Sequence, residues 1–333
     1  MHEFRAPRWL PGGHAQTIWP ALFGRRRSGG PLSWRRERWD TPDGDFVDVD
    51  FLATAAAAEA PTLVLFHGLE GSSASHYAQA FGDAARARGW SFAVPHFRGC
   101  SGEINRAARA YHSGDYVEVG WILERVRASR AGPLLAVGVS LGGNALLRWA
   151  EAAGDAAAAT ASRVAAVCAP LDLAAGGQAI GRGVNRVFYT RMFLRTMKPK
   201  ALARLARHPG LFDRERLVAA RTLYEFDNIF TAPVHGFRDT DDYWSRCSAK
   251  PHLHRIRIPA LVLNPRNDPF VPAASLPRRH EVGRHVTLWQ PEHGGHVGFP
   301  AGRWPGHVLT LPAAVIAWMS DPDPEQAMPV AAT

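Results

Sequence analysis

Apolar positions follow two rhythms along the chain. Short unbroken runs at Thr62–Phe66, Ser91–Pro95, 134–137, 164–168, Ala260–Leu263 and 285–289 read as strands, most of them buried on both faces. Between them lie segments with helical spacing. One covers 75–88, another 115–129 with Val119, Ile122, Leu123 and Val126 on one side, and a third runs from about 145 to 153. Further helices are predicted near 273–282 and over 307–319. Segments 33–41 and 46–52, joined by Pro42, Asp43, Gly44 and Asp45, read as an edge hairpin. In the second, Phe46, Val47, Val49 and Phe51 sit among Asp48 and Asp50, the alternation of a half-solvated strand. Strands and helices alternating at short intervals imply βαβ units and a mostly parallel sheet with helices on both faces. Ligands of such sheets sit at the carboxyl ends of the strands.

The rhythm breaks in three places. Residues 1–31, rich in Pro, Gly and Trp, are expected to be an irregular lead-in that packs through its aromatics. Over 172–250 the alternation stops, although Val187, Phe188, Tyr189, Met192, Phe193 and Leu194 keep the segment apolar and 214–224 looks helical. Too apolar for a linker, it reads as an inserted helical cap. The tail, 320–333, has the composition of a disordered end. Residues 1–333 are otherwise expected to form one large domain, a length sufficient for a full core.

Composition narrows the possibilities. With 46% apolar and 21% charged residues, the chain has an ordinary globular balance. It has no apolar run near the roughly 20 residues a membrane helix needs, and no signal-peptide core, so a cytoplasmic location is expected. Cys100, Cys168 and Cys247 are few, far apart and without metal-ligand spacing. The net charge of +9 is carried almost wholly by scattered arginine, with no nucleic-acid motif beside it. A weak membrane-surface contact is reserved for the one tight run, Arg25, Arg26 and Arg27.

The chemistry centres on 134–144, LLAVGVSLGGN. Gly-x-Ser-x-Gly (Gly138, Ser140, Gly142) follows a strand and opens a helix, which puts Ser140 at the apex of a sharp turn. Side chains at the flanking positions would collide there, hence the glycines. The apex also lies at the positive end of a helix, where the Leu141 amide can meet a developing oxyanion. A second donor is expected from the loop after Thr62–Phe66, at the Leu69 amide. Neighbouring His67 reads as a packed histidine, and Glu70 as a carboxylate turned away from the oxyanion.

A serine hydroxyl needs a base within reach and a group to orient that base. In this topology both should follow the serine, in loops after later strands. Asp268, in NPRNDP after the strand ending at Leu263, is the expected acid, with Asp172 as the fallback. In EHGGHVGF, after the last strand, His296 is preferred over His293 as the base. Two glycines before it allow close approach, and Val297 and Phe299 can anchor it. An aspartate nucleophile is ruled out by Ser140 at the apex. The chain carries neither a phosphate-binding loop ending in Lys and Ser or Thr nor an HExxH pair, and no metal or organic cofactor is expected.

Taken together, these motifs resemble the α/β-hydrolase fold and, within it, the YheT-like branch, whose relatives include eukaryotic lipid-active ABHD proteins and yeast ethanol acyltransferases. The resemblance rests on PGGHAQT (11–17), PDGD (42–45), HGLEGS (67–72), HFRGCSGE (96–103), YHSG (111–114), GVSLGGN (138–144), NDPF (267–270) and HGGHVGF (293–299), and covers nearly the whole chain. It implies an eight-stranded, mostly parallel sheet and a relay of Ser140, Asp268 and His296. It also implies hydrolysis of carboxylic esters with short or medium acyl chains, or acyl transfer to an alcohol. A small-molecule or lipid ester is the implied substrate. A catalytically silent binding protein is the reading from another class, and an intact triad argues against it.

Overall fold

In the computed structural model, residues 4–321 are described. Eight strands form one sheet in the order β1-β2-β4-β3-β5-β6-β7-β8. They are β1 (Trp34–Asp40), β2 (Phe46–Leu52), β3 (Thr62–Phe66), β4 (Ser91–Pro95), β5 (Leu134–Val139), β6 (Arg163–Val167), β7 (Ala260–Leu263) and β8 (Val286–Trp289). Only β2 runs against its neighbours, β1 and β4; the other pairs are parallel.

Strands β3 and β5 are buried from end to end, and β6 from Val164 onward, because both faces carry helices. On one face α3 (Tyr116–Ala128) and α4 (Leu141–Ala153) pack Ile122, Leu123, Leu146 and Trp149 against the sheet. On the other, α2 (His76–Arg86) and the last helix, Thr310–Ser320, bring Phe81, Val315 and Trp318. Between β6 and β7 the chain leaves the sheet and forms a helical cap. Its long helix is Arg191–Arg207, and Thr240–Cys247 brings the chain back towards the sheet.

The structure departs from the sequence reading in four places. The lead-in is not irregular throughout: Gly12–Phe23 is a helix, α1, in spite of its paired glycines and Pro20. The residues that hold it lie far away in sequence, so no local signal announces it. Second, β2 is not half-solvated. Asp48 and Asp50 are buried, because across the β1–β2 register Arg38 grips Asp48 at 2.8 and 2.9 Å and Arg36 grips Asp50 at 2.7 and 2.9 Å. Burial pushes the Asp50 carboxyl upward, but hydrogen bonds from Arg36, His96 and Ser73 outweigh it and hold it well below the ordinary range.

The third departure is at 273–282, where two short 3-10 turns, Ala273–Ser275 and Arg279–Glu281, replace the predicted helix. Pro272 and Pro277 supply no N–H and favour extended residues before them, so a continuous helix cannot propagate. Fourth, the helix expected over 214–224 stops at Ala219, and Thr222 starts a new one with a capping box to Glu225. Ser320 closes the last helix, and from residue 322 the expected tail lies outside the described residues.

Candidate active site

The turn from β5 into α4 places Ser140 at φ 53° and ψ −120°, a conformation non-glycine residues seldom hold. The flanking glycines are sterically required. A Cβ on Gly138 would lie 2.3 Å from the Gly142 carbonyl oxygen, and one on Gly142 would lie 2.5 Å from the carbonyl oxygens of Phe66 and His67. Ser140 stands at the N-cap of α4 without spending its side chain on the helix. Its hydroxyl is therefore free to bond elsewhere.

That hydroxyl meets His296. Ser140 Oγ donates to Nε2 at 3.0 Å, and Nδ1–H of the same ring donates to Asp268 Oδ2 at 2.8 Å. The other carboxylate oxygen of Asp268 accepts from the Phe270 and Val271 amides at 2.7 and 3.3 Å. Asp268 is thus buried with both oxygens engaged, and the Phe270 ring packs against the imidazole, tilted by 40° with centroids 4.2 Å apart. The two residues held in reserve lie elsewhere. Asp172 caps a cap helix through the Ala175 amide at 3.0 Å, and His293 is exposed beside Asn267.

Leu69 and Leu141 line one cavity with Ser140 and His296. The Leu141 amide is the first of α4 and has no partner within its helix. In the loop after β3, the Gly68 and Glu70 amides donate to the hydroxyls of Tyr77 and Tyr111, at 2.9 and 3.0 Å. The Leu69 N–H between them has no hydrogen-bond acceptor among the described residues. Gly68 lies so close to the nucleophile that an added Cβ would be 3.2 Å from that of Ser140. Two unpaired amides on residues that line the same cavity as the nucleophile can donate hydrogen bonds to a developing oxyanion.

Neighbouring side chains fix this loop. His67 is fully buried; its Nδ1–H donates to the Gly68 carbonyl at 2.8 Å, its Nε2 accepts from Phe97 N–H at 3.0 Å, and burial pushes its pKa down to about 3. The Glu70 carboxylate accepts from Tyr111 at 3.0 Å and pairs with Lys200 of the cap at 2.8 Å. It is thereby neutralised and tied to the roof of the site. Cys168, Asp268 and His296 hold three potential metal-ligating atoms within 4.8 Å. They do not suit a metal in this arrangement: Asp268 and the imidazole bond each other, and burial raises the Cys168 thiol far above its ordinary value, which disfavours the thiolate a metal needs.

The cavity, about 150 Å³, is bounded by Ser140 and His296 below and cap residues such as Ile180, Phe193, Met197, Leu223 and Phe230 above.

Two motifs singled out in the sequence take on structural roles that their composition does not reveal. In PGGHAQT, Gln16 Oε1 accepts from Asn267 Nδ2 at 2.9 Å and from Gly294 N–H at 3.0 Å, joining the acid loop to the base loop. Thr17 Oγ1 accepts from His296 N–H at 2.8 Å. In YHSG, the Ser113 carbonyl accepts from Asn144 of α4 at 2.8 Å, and Ser113 N–H donates to Tyr243 of the cap at 2.9 Å. In the arginine run Arg25 is exposed. Arg26 bonds the Ala21 carbonyl and Arg27 bonds Gln79, both at 2.8 Å.

A serine, an imidazole and a carboxylate aligned at the carboxyl edge of a mostly parallel sheet, beneath a helical insertion, define a hydrolase-type architecture. The chain belongs to the alpha/beta hydrolase fold family, whose model matches residues 61–302. Within that family it belongs to the YheT group. It is 39% identical to "Putative esterase YheT" of Escherichia coli (strain K12) over 96% of this chain and 93% of that protein. It is 28% identical to mouse phospholipase ABHD3 over 83% of this chain and 68% of that protein. Among solved structures, Est1E from Butyrivibrio proteoclasticus, bound to ferulic acid, superposes with a TM-score of 0.54 at 13% identity, covering 85% of this chain and 97% of that one, a likeness of fold. The family match begins at Pro61, so Gln16 and Thr17 lie outside it.

Proposed function

We propose that the protein is a serine carboxylic-ester hydrolase acting on short or medium acyl chains. Ser140 Oγ attacks the acyl carbonyl while its proton passes to His296 Nε2. Asp268 holds the imidazole in the required tautomer and stabilises the imidazolium. The Leu69 and Leu141 amides bind the oxyanion, each typically worth about 3 to 4 kcal/mol in the transition state. Collapse expels the alcohol, which takes the proton from His296. Water, activated by the same imidazole, then attacks the acyl-enzyme and releases the acid.

The observation that carries this reading is the continuous hydrogen-bond chain from Ser140 through His296 to Asp268, ending at a cavity with an apolar roof. The names of the relatives, an esterase and phospholipases, agree with it. The test is labelling with a fluorophosphonate ester and turnover of a p-nitrophenyl ester series. Wild type should label and turn over, whereas Ser140→Ala and His296→Ala should do neither. Full esterase activity in Ser140→Ala would overturn the assignment. Ester forming faster than free acid when ethanol is present would move the reading to acyl transfer.

A further inference from the structure

The helical run that roofs the cavity has a second, outward face. It extends without a break through Gly183–Asn185, Arg186–Thr190 and Arg191–Arg207. Phe193 and Met197 point into the cavity. Val184, Val187, Phe188 and Met192 are 58, 53, 62 and 53% exposed, and their spacing repeats on successive turns. Arg182, Arg186, Arg191 and Arg195 stand exposed among them, and among the described residues none pairs with a carboxylate. Next to this run, α1 exposes Ile18, Leu22 and Phe23, and its His14, one turn before Ile18, bonds the Tyr189 hydroxyl at 3.2 Å.

Isolated exposed apolar side chains are ordinary, but a stripe of them edged by cations of one sign is not. Exposed apolar side chains interspersed with arginine suit a lipid–water interface, the apolar groups in the acyl boundary and the cations among the headgroups. The unpaired arginines select anionic headgroups, and the net charge of +9 adds to the attraction. A second copy of the chain fits less well, because a two-fold contact lays this patch on itself, arginine against arginine.

We propose that the face formed by Val184, Val187, Phe188 and Met192, with its arginine border, docks the protein on an anionic lipid surface. The helix over the cavity then rests on the lipid, so that amphiphilic substrate reaches the site from the membrane side.

The test is vesicle sedimentation of the full chain carrying Ser140→Ala, so that turnover plays no part. Equimolar phosphatidylglycerol and phosphatidylcholine vesicles are compared with phosphatidylcholine alone. Binding should favour the anionic vesicles and weaken with salt. Phe188→Ser with Met192→Ser should lower the partition ratio by about tenfold or more. Arg186→Ser with Arg191→Ser should lower it by about 25-fold, at about fivefold per arginine. All four side chains are exposed, so the melting temperatures should stay close to that of the parent. Equal binding to both vesicles, or no loss in either variant, overturns the proposal. So does a dimer in solution that Phe188→Ser with Met192→Ser turns into a monomer, which would make the face a contact between copies. Binding is read without turnover, so failure of the esterase assignment and failure of docking are separate results.

Discussion

The backbone N–H of His296 donates to the hydroxyl of Thr17 at 2.8 Å, across 279 residues of sequence. The same hydroxyl donates to the Gly13 carbonyl at 2.7 Å, so the N-terminal half of α1 holds the histidine through its backbone while Asp268 holds its ring. The fit is close: a Cβ on Gly298 would lie 1.7 Å from the Gln16 carbonyl oxygen, and one on Gly13 would lie 1.9 Å from that of Asn267.

Thr17 is therefore a positioning residue. Thr17→Val keeps the shape but leaves the His296 amide without its acceptor. The expected outcome is a fall in kcat of about ten- to a hundredfold, with KM little changed. Thr17→Ser should restore most of the rate. Steady-state kinetics beside thermal melts check this. A purely structural role would instead lower the melting temperature of Thr17→Val with kcat per folded molecule unchanged.

Backbone strain at Ser140 gives a second prediction. At φ 53° and ψ −120° a glycine is at ease and an alanine is not. Ser140→Ala and Ser140→Gly both lose the bond to His296, so their difference isolates the strain. Ser140→Gly should be more stable than Ser140→Ala by about 1 kcal/mol in urea unfolding. Equal stabilities would show that the turn is relaxed.

Stability should also fall early on the acid side. Burial pushes the pKa of His67 down to about 3, and those of His76 and His112 down to about 4. These side chains stay neutral in the fold but take up protons in the unfolded chain below about pH 6.5. Because the unfolded state binds more protons there, stability drops as pH falls, by about 1.4 kcal/mol per pH unit for each such histidine. Asp50, held low by Arg36 and His96 against its own burial, adds its loss only below about pH 4. Urea unfolding at intervals between pH 7 and pH 4 should show the earlier decline, and a flat profile down to pH 5 would contradict it.

The sheet, its order of elements and the nucleophile turn were legible in the chain because each is written locally. A buried strand such as Thr62–Phe66 is a short apolar run, and Gly138 and Gly142 mark where backbones approach too closely for a side chain. Asp268 and His296 could be proposed from their loops, since they follow late strands in the order this topology demands. What misled was chemistry supplied from a distance. The aspartates of β2 look solvent-facing until Arg36 and Arg38 are paired with them, and α1 looks irregular until the 267 and 294–298 loops close around it. Which of two histidines reaches the serine, which amide is left unpaired beside it, and which side of the cap helix is left bare depend on contacts between residues far apart in sequence. Local periodicity carries no record of such partners, so the sequence by itself determined the scaffold and the candidate atoms, and only tertiary packing decided their distances and surroundings.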